Sequence, residues 1–298
     1  MKKVTLLIPC YNEESSLPAL HAALCEVMDS QVQYQWEVLL IDDGSRDQSL
    51  SVMRQLRRKD PRVAFISLSR NFGKENAMLA GFDHASGDCV IILDADLQHP
   101  PALIPDMLHL WEEGAQDVYA RRDIARESWL RRRLSRLYYS LLNRSTRFDV
   151  LENVGDFRLL DRRCILALRQ LRESQRYTKG MYVWIGFKKQ EISYHEQKRT
   201  AGQSSFNFRR LADLAIDGLT SYTTAPLRLS TLIGLLSALL AILYMVYVFI
   251  KTLVVGEAVQ GFPTIVILIL FLGGVQLISL GIIGEYLGKV FIETKRRP

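Results

Sequence analysis

The chain has 298 residues, 48% of them hydrophobic and 23% charged, with 18 Gly and 9 Pro. That length provides for one large or two modest folded units with a sizeable core, and that composition excludes a disordered, collagen-like or low-complexity chain. Mean hydropathy is +0.04, higher than a soluble enzyme needs, and the excess lies mostly after Pro226.

A net charge of +6 hints at an anionic partner, and the charge is concentrated: between positions 121 and 147 nine arginines stand against only Asp123 and Glu127. The four cysteines, Cys10, Cys25, Cys89 and Cys164, form neither a CxxC pair nor a metal-type cluster with histidine, which reads as reduced thiols in a reducing compartment. After Met1-Lys2-Lys3 only a short apolar stretch precedes Pro9, so no cleavable signal peptide is expected and the N-terminal part is placed in the cytoplasm.

From residue 4 to residue 121, apolar β-rich runs (4–9, 37–42, 63–69, 89–94, 117–120) alternate with helical patterns (16–29, 48–58, 75–85, 101–112). The runs are nearly continuous, so the strands are expected to be buried on both faces of a parallel sheet, giving an open, doubly wound α/β unit. Ligands of such sheets bind beyond the carboxyl ends of the strands. Those ends carry Pro9-Cys10-Tyr11-Asn12-Glu13, Asp42-Asp43-Gly44-Ser45 and Asp94-Ala95-Asp96-Leu97-Gln98.

Residues 128–147 read as a basic amphipathic helix, with leucine and tyrosine on one side and arginine on the other. A strand (155–160), a helix (162–172) and a strand (189–195) follow, then a second amphipathic stretch over 207–226. The spans 229–250 and 262–283 hold no charged residue, and each is long enough to cross a hydrocarbon core of about 30 Å. Arg228, Lys289, Lys295, Arg296 and Arg297 flank them, so the positive-inside rule puts both ends in the cytoplasm.

Asp94-x-Asp96 at the end of a buried strand is the strongest chemical signal. Two carboxylates so close repel each other, and a divalent cation with oxygen ligands relieves that; Gln98 adds a neutral oxygen. A capping or solvated-loop role is the plain alternative. Asp42-Asp43-Gly44-Ser45 offers a carboxylate to a base or ribose beside a glycine turn. There is no GxGxxG or Walker loop here, which counts against dinucleotide oxidoreduction and P-loop phosphoryl transfer. His21, His84, His99, His109 and His195 show no ligand spacing and read as surface or core residues.

With Arg70-Asn71-Phe72-Gly73-Lys74-Glu75, these motifs stand in the order and spacing of inverting family 2 glycosyltransferases with a GT-A fold. Gly155-Asp156-Phe157-Arg158-Leu159 and Arg199-x-Ala201-Gly202-x-Ser204, followed by two apolar spans, narrow the resemblance to the polyprenyl-phosphate sugar transferases. That group includes dolichyl-phosphate mannose synthase and the bactoprenol glucosyltransferases of O-antigen modification. The resemblance covers essentially the whole chain. It departs at His99, where members commonly carry Asp.

The resemblance implies a cytoplasmic GT-A (Rossmann-like) catalytic domain over 1–206, mostly parallel in its sheet, with the helix 128–147 at the membrane surface. A juxtamembrane helix (207–226) and a two-helix transmembrane hairpin with a basic tail (227–298) follow, in a bacterial inner membrane. Pro9, Tyr11, Glu13 and Asp42 would line the nucleotide pocket, and Asp94, Asp96 and Gln98 would hold Mg2+ or Mn2+ and the diphosphate. Lys74 and Arg199 would neutralise donor or acceptor phosphates. Asp96 and Asp156 are the expected catalytic residues, Asp156 matching the position of the base. Because a polyprenyl phosphate is already largely ionised at neutral pH, Asp156 could instead orient the acceptor or stabilise an oxocarbenium-like sugar, or simply pair with Arg158 or Arg162.

Arg121, Arg122, Arg126 and Arg131, with Ser204, would meet the acceptor phosphate, while the same helix attracts anionic lipid. The implied reaction moves one hexose, glucose from UDP-glucose being favoured, to undecaprenyl phosphate for O-antigen or other envelope glycan modification. GDP-mannose or a modified UDP-sugar, a processive polysaccharide synthase, and a non-catalytic scaffold or lipid translocator are the alternatives. Nucleic acid is not an expected partner, and glycines in the second span would let copies of the hairpin pack together.

Overall fold

The computed structural model describes residues 1–122, 154–174, 176, 178–194, 225–255 and 261–295. They fall into two compact units, one built on a sheet and one on two long helices. The sheet unit has seven strands: β1 (Lys2–Cys10), β2 (Tyr34–Asp42), β3 (Val63–Ser67), β4 (Cys89–Ile92), β5 (Asp117–Arg122), β6 (Val154–Asp161) and β7 (Lys189–Tyr194). Their order is β3-β2-β1-β4-β6-β5-β7. All neighbours run parallel except β6, which lies antiparallel between β4 and β5. This is the mixed, mostly parallel sheet of a GT-A fold.

The continuous apolar runs form strands because both faces are covered. On one face α1 (Leu17–Ser30), α2 (Ser49–Lys59) and α4 (Ile104–Glu112) pack on Leu6, Ile8, Leu40, Ile91 and Leu159. On the other, α3 (Lys74–His84), α5 (Arg162–Gln170) and α6 (Thr178–Trp184) pack on Leu7, Ile41, Val90, Ile92 and Leu160. Leu17, Leu20, Leu24 and Met28 recur at helical spacing and form the buried stripe of α1. Phe82 is fully buried between α3 and the sheet; truncating it to Ala would cost about 3–5 kcal/mol. Gly81 lets α3 approach closely, since a Cβ there would strike the side chain of Leu7.

Besides shifts of a few residues at strand ends, three differences from expectation bear on the site. β4 stops at Ile92, so Asp94 belongs to the loop beyond it. The helix expected over 101–112 opens with a short 3-10 turn, Pro101–Leu103, before α4. The helix α6 had no counterpart in the sequence reading.

The second unit is α7 (Ala225–Val255, 31 residues) and α8 (Phe262–Thr294, 33 residues), packed on each other. At about 1.5 Å per residue each exceeds a hydrocarbon thickness of about 30 Å. The expected spans 229–250 and 262–283 fall inside them. Among the described residues one window, Phe271–Thr294, is long and apolar enough to cross a membrane, and Ser230–Tyr244 is a shorter apolar stretch. Leu235, Leu277 and Leu287 are among many exposed apolar side chains in these helices.

Candidate active site at the carboxyl edge of the sheet

Inserting one antiparallel strand brings the start of β6 to the edge where β1, β2 and β4 end. Ile92 pairs with Arg158, and continuing that register by two residues sets Asp94 against Asp156. Both carboxylates point to the α3 side, where Lys74 opens the helix. The Lys74 ammonium lies 2.6 Å from Asp94 Oδ1 and 2.7 Å from Asp156 Oδ2. Asp156 is nearly enclosed, its side chain 11% exposed, and its Oδ1 has no hydrogen-bond partner among the described residues.

Burial would raise the Asp156 pKa, but Lys74, and after it Lys179, hold it below the usual carboxylate range, so it is ionised at neutral pH. Desolvation works against the Lys74 charge too, and Asp156 and Asp94 outweigh it, raising the lysine. Next along α3, Glu75 is pushed up to about 7, by burial first and by Asp156 second. It accepts the backbone N–H of Thr178 at 3.1 Å and the threonine hydroxyl as well, which ties α6 to α3.

Loops after β1 and β2 are stitched into one wall. Asn12, left-handed at φ 57°, donates its N–H to Ser45 Oγ (3.0 Å) and accepts the Arg46 N–H at Oδ1 (2.8 Å). The Glu13 N–H donates to Ser49 Oγ at 2.7 Å, and its carboxylate accepts from the Ser16 hydroxyl at 2.5 Å. Pro9 is buried at the end of β1 and Tyr11 is 40% exposed beside it. Asp42 is 2% exposed, with Oδ1 on the Ser45 N–H (3.0 Å) and Oδ2 on the Ser67 hydroxyl (2.7 Å). Its neighbour Asp43 accepts the N–H groups of Phe72 (2.8 Å) and Gly73 (2.9 Å), fixing the entrance to α3 and hence Lys74. Gly44, at φ 66°, has no room for a Cβ against the backbone of Arg70, so the two loops can meet only at glycine.

A hard divalent cation suits this donor set. Burial raises the Glu13 carboxyl, and among the charges that raise it further are Asp96 and Asp94; crowded carboxylates of this kind are what Mg2+ or Mn2+ neutralises. Asp94 already has a cationic neighbour in Lys74, and Asp96 Oδ1 accepts the Gln98 N–H at 3.1 Å within the same loop.

Several expectations change. Asp156 pairs with Lys74; Arg158 instead pairs with Asp117 at 3.0 Å under the ring of Tyr182 (3.7 Å), and Arg162 donates to the Ala85 carbonyl at 2.7 Å. Arg121 lies 3.3 Å from Glu191 across β5 and β7. His99, expected as a surface or core residue, is buried, and it also accepts the Asp94 N–H at 3.1 Å. His21 and Cys25 do meet a carboxylate, Asp60, all three within 4.8 Å of one another, contrary to the reading that no such cluster exists. Arg62 already fills the need for a cation there, at 3.0 Å from Asp60 Oδ2 and 3.5 Å from Cys25 Sγ. Arg126, Arg131, Arg199 and Ser204, the side chain of Arg122, the helix 128–147 and the stretch 207–224 lie outside the described residues.

The chain matches the glycosyl transferase family 2 model over residues 5–168 and the GtrB C-terminal hairpin model over residues 225–290. It is 42% identical to the bactoprenol glucosyl transferase of Shigella phage SfV, over 99% of this chain and 96% of that one. It is also 42% identical to the putative glycosyltransferase CsbB of Bacillus subtilis, over 99% and 89% of the two chains. Among solved structures, glucosyl-3-phosphoglycerate synthase from Mycobacterium tuberculosis superposes with TM-score 0.49 and 15% identity, over 74% of this chain and 76% of that one, too distant to bear on single side chains. By the model that covers residues 5–168, more than half of the chain, and by relatives that match it nearly end to end, the chain belongs to glycosyl transferase family 2.

Proposed function

We propose that the protein transfers glucose from UDP-glucose to undecaprenyl phosphate, inverting the anomeric carbon, at the cytoplasmic face of a bacterial inner membrane. The observation that carries this reading is the ion cluster Lys74–Asp94–Asp156 at the carboxyl edge of the sheet, in a chain 42% identical to a bactoprenol glucosyl transferase. Pro9, Tyr11, Glu13 and Asp42 form the nucleotide side. Asp94, Asp96 and Gln98 would hold Mg2+ or Mn2+. The cation, when bound, supplies the positive charge that stabilises the departing diphosphate.

The protein's own groups do the rest. Lys74 is charged at any working pH, so it can pass from Asp94 to a donor phosphate without a proton changing place. Asp156 is ionised, and its Oδ1, buried and without a partner among the described residues, would turn to the sugar when Lys74 moves to the donor. Since the acceptor phosphate is itself mostly ionised, Asp156 is more useful opposing the positive charge that grows on the anomeric carbon than abstracting a proton. Arg121, Arg122, Arg126 and Arg131, with Ser204 and Arg199, would receive the lipid phosphate. Helices α7 and α8 would cross the bilayer as a hairpin, leaving both termini in the cytoplasm beside anionic lipid.

Purified protein in detergent, given undecaprenyl phosphate and a panel of nucleotide sugars, should yield undecaprenyl phosphate glucose from UDP-glucose, identified by mass spectrometry. Product from GDP-mannose or a modified UDP-sugar alone would replace the donor, and no lipid product from any donor would overturn the reading.

A further inference from the structure

The loop after β4 is held in an unfavourable shape. It leaves the sheet with the Leu93 N–H still bonded to the Leu7 carbonyl at 3.0 Å, then turns through Leu97, whose φ of 62° is left-handed. A branched side chain is disfavoured in that region and persists only where its surroundings hold it. The ring of His99 closes the loop. It is 7% exposed, and its Nδ1 accepts the Asp94 N–H at 3.1 Å.

An accepting Nδ1 leaves the ring proton on Nε2, and Nε2 is the atom facing Asp94 Oδ2, at 3.8 Å. The ring is stacked on Phe157, with centroids 4.8 Å apart and planes 11° from parallel, and meets Tyr194 edge-on at 6.2 Å. Phe157 directly follows Asp156 on β6, and Tyr194 ends β7.

We propose that His99 is a positioning residue, the clasp of the Asp94–Gln98 loop, which fixes the loop's carboxylates relative to Asp156 by accepting the Asp94 amide and stacking on Phe157. The metal-binding role of the loop comes from the function proposed above; the clasp itself is independent of it.

Two variants of the full chain in detergent separate the hydrogen bond from the ring: His99→Phe keeps an aromatic stack and loses the acceptor, while His99→Asn keeps an acceptor near the Nδ1 position. Amide exchange of the segment 93–99, followed by mass spectrometry, should accelerate about tenfold in H99F and stay within about threefold of wild type in H99N, with segments of β1 and β2 unchanged as a check on folding. Mn2+ affinity in the presence of UDP, read by electron paramagnetic resonance, should weaken about tenfold in H99F and recover in H99N. Wild-type exchange in H99F, or equally fast exchange in a folded H99N, overturns the clasp. If the wild type takes up no Mn2+ with UDP, the loop is not a cation site, and the exchange rates alone decide the clasp.

Discussion

At the amino end of β3, His21, Cys25, Asp60 and Arg62 satisfy one another; at the carboxyl end of β4, Lys74 joins Asp94 and Asp156 but leaves a buried carboxylate oxygen over. In the first cluster both oxygens of Asp60 are used, Oδ1 by the Arg62 N–H (2.9 Å) and Nε (3.0 Å), Oδ2 by His21 (3.1 Å). In the second, Asp156 Oδ1 and, close by, Arg158 Nε and the Tyr182 hydroxyl are buried with no partner among the described residues. Both left-handed non-glycine residues among those described, Asn12 and Leu97, belong to the loops of this second edge. Buried polar atoms without partners and strained backbone are costly, so they accumulate where a ligand will use them. A completed polar cluster holds the fold together, and an incomplete one marks the site.

The largest effect should come from the carboxylate loop that carries the incomplete cluster, Asp94–Gln98. Asp96→Asn is expected to lower transfer about 10²–10³-fold without unfolding the protein, because the leaving diphosphate would keep charge that nothing neutralises. Turnover and thermal melting together check this, and full turnover in EDTA after metal removal would show that no cation is involved.

Breaking the completed cluster should do the reverse. Asp60→Ala strands Arg62 and His21, and is expected to cost about 1–3 kcal/mol of stability in a urea titration while leaving turnover within about twofold. Burial opposes ionisation of Asp60, but Arg62 holds its pKa down to about 2. The folded value is depressed, so this contribution is present above the unfolded value near 4 and fades as pH falls toward 2. A large loss of turnover in a stable Asp60→Ala protein would erase the distinction between the two edges.

Glu75 sharpens the same contrast through pH. Its folded pKa, raised to about 7, makes its contribution complete below its unfolded value near 4.3 and lost as pH rises through about 7. Wild type should therefore lose about 1 kcal/mol relative to Glu75→Gln between pH 5 and pH 8, the full shift being discounted for solvent screening. A pH-independent difference between the two proteins in urea titrations would mean that Glu75 is ordinary.

Much of this contrast could be read from the chain, and what escaped has a physical cause. Strands β1, β2 and β4 announce themselves because burial on both faces demands unbroken apolar runs, and the motifs at their ends follow from sheet geometry. The direction of β6 is not written in its own residues, so the adjacency of Asp94 and Asp156, and the claim of Lys74 on both, appear only in the folded sheet. His21 and Cys25 stand one helical turn apart, yet their carboxylate partner lies 35 residues beyond Cys25. Asp42 and Asp43 look interchangeable in sequence, but alternation points one at Ser67 and the other at the amides that open α3. The helix α6, seven residues long, is too short to show a period.

The smallest effect concerns Arg121, which sits between the two kinds of cluster. Its side chain is 48% exposed and that of Glu191 36%, so the pair resembles other exposed ion pairs worth about 0–1 kcal/mol. Removing it should leave the melting temperature nearly unchanged. Yet Arg121 ends on the same edge as Asp94 and Asp156, because β5 runs parallel to β4 across the intervening β6. If Glu191 merely keeps the guanidinium in place until a lipid phosphate arrives, Arg121→Gln should raise the acceptor KM about threefold, the equivalent of about 0.7 kcal/mol, with kcat unchanged. Neutral detergent is the right medium, since without anionic lipid a surface attraction cannot imitate the effect. An unchanged KM would assign Arg121 to the completed kind of cluster, and the acceptor phosphate would then fall to arginines later in the chain.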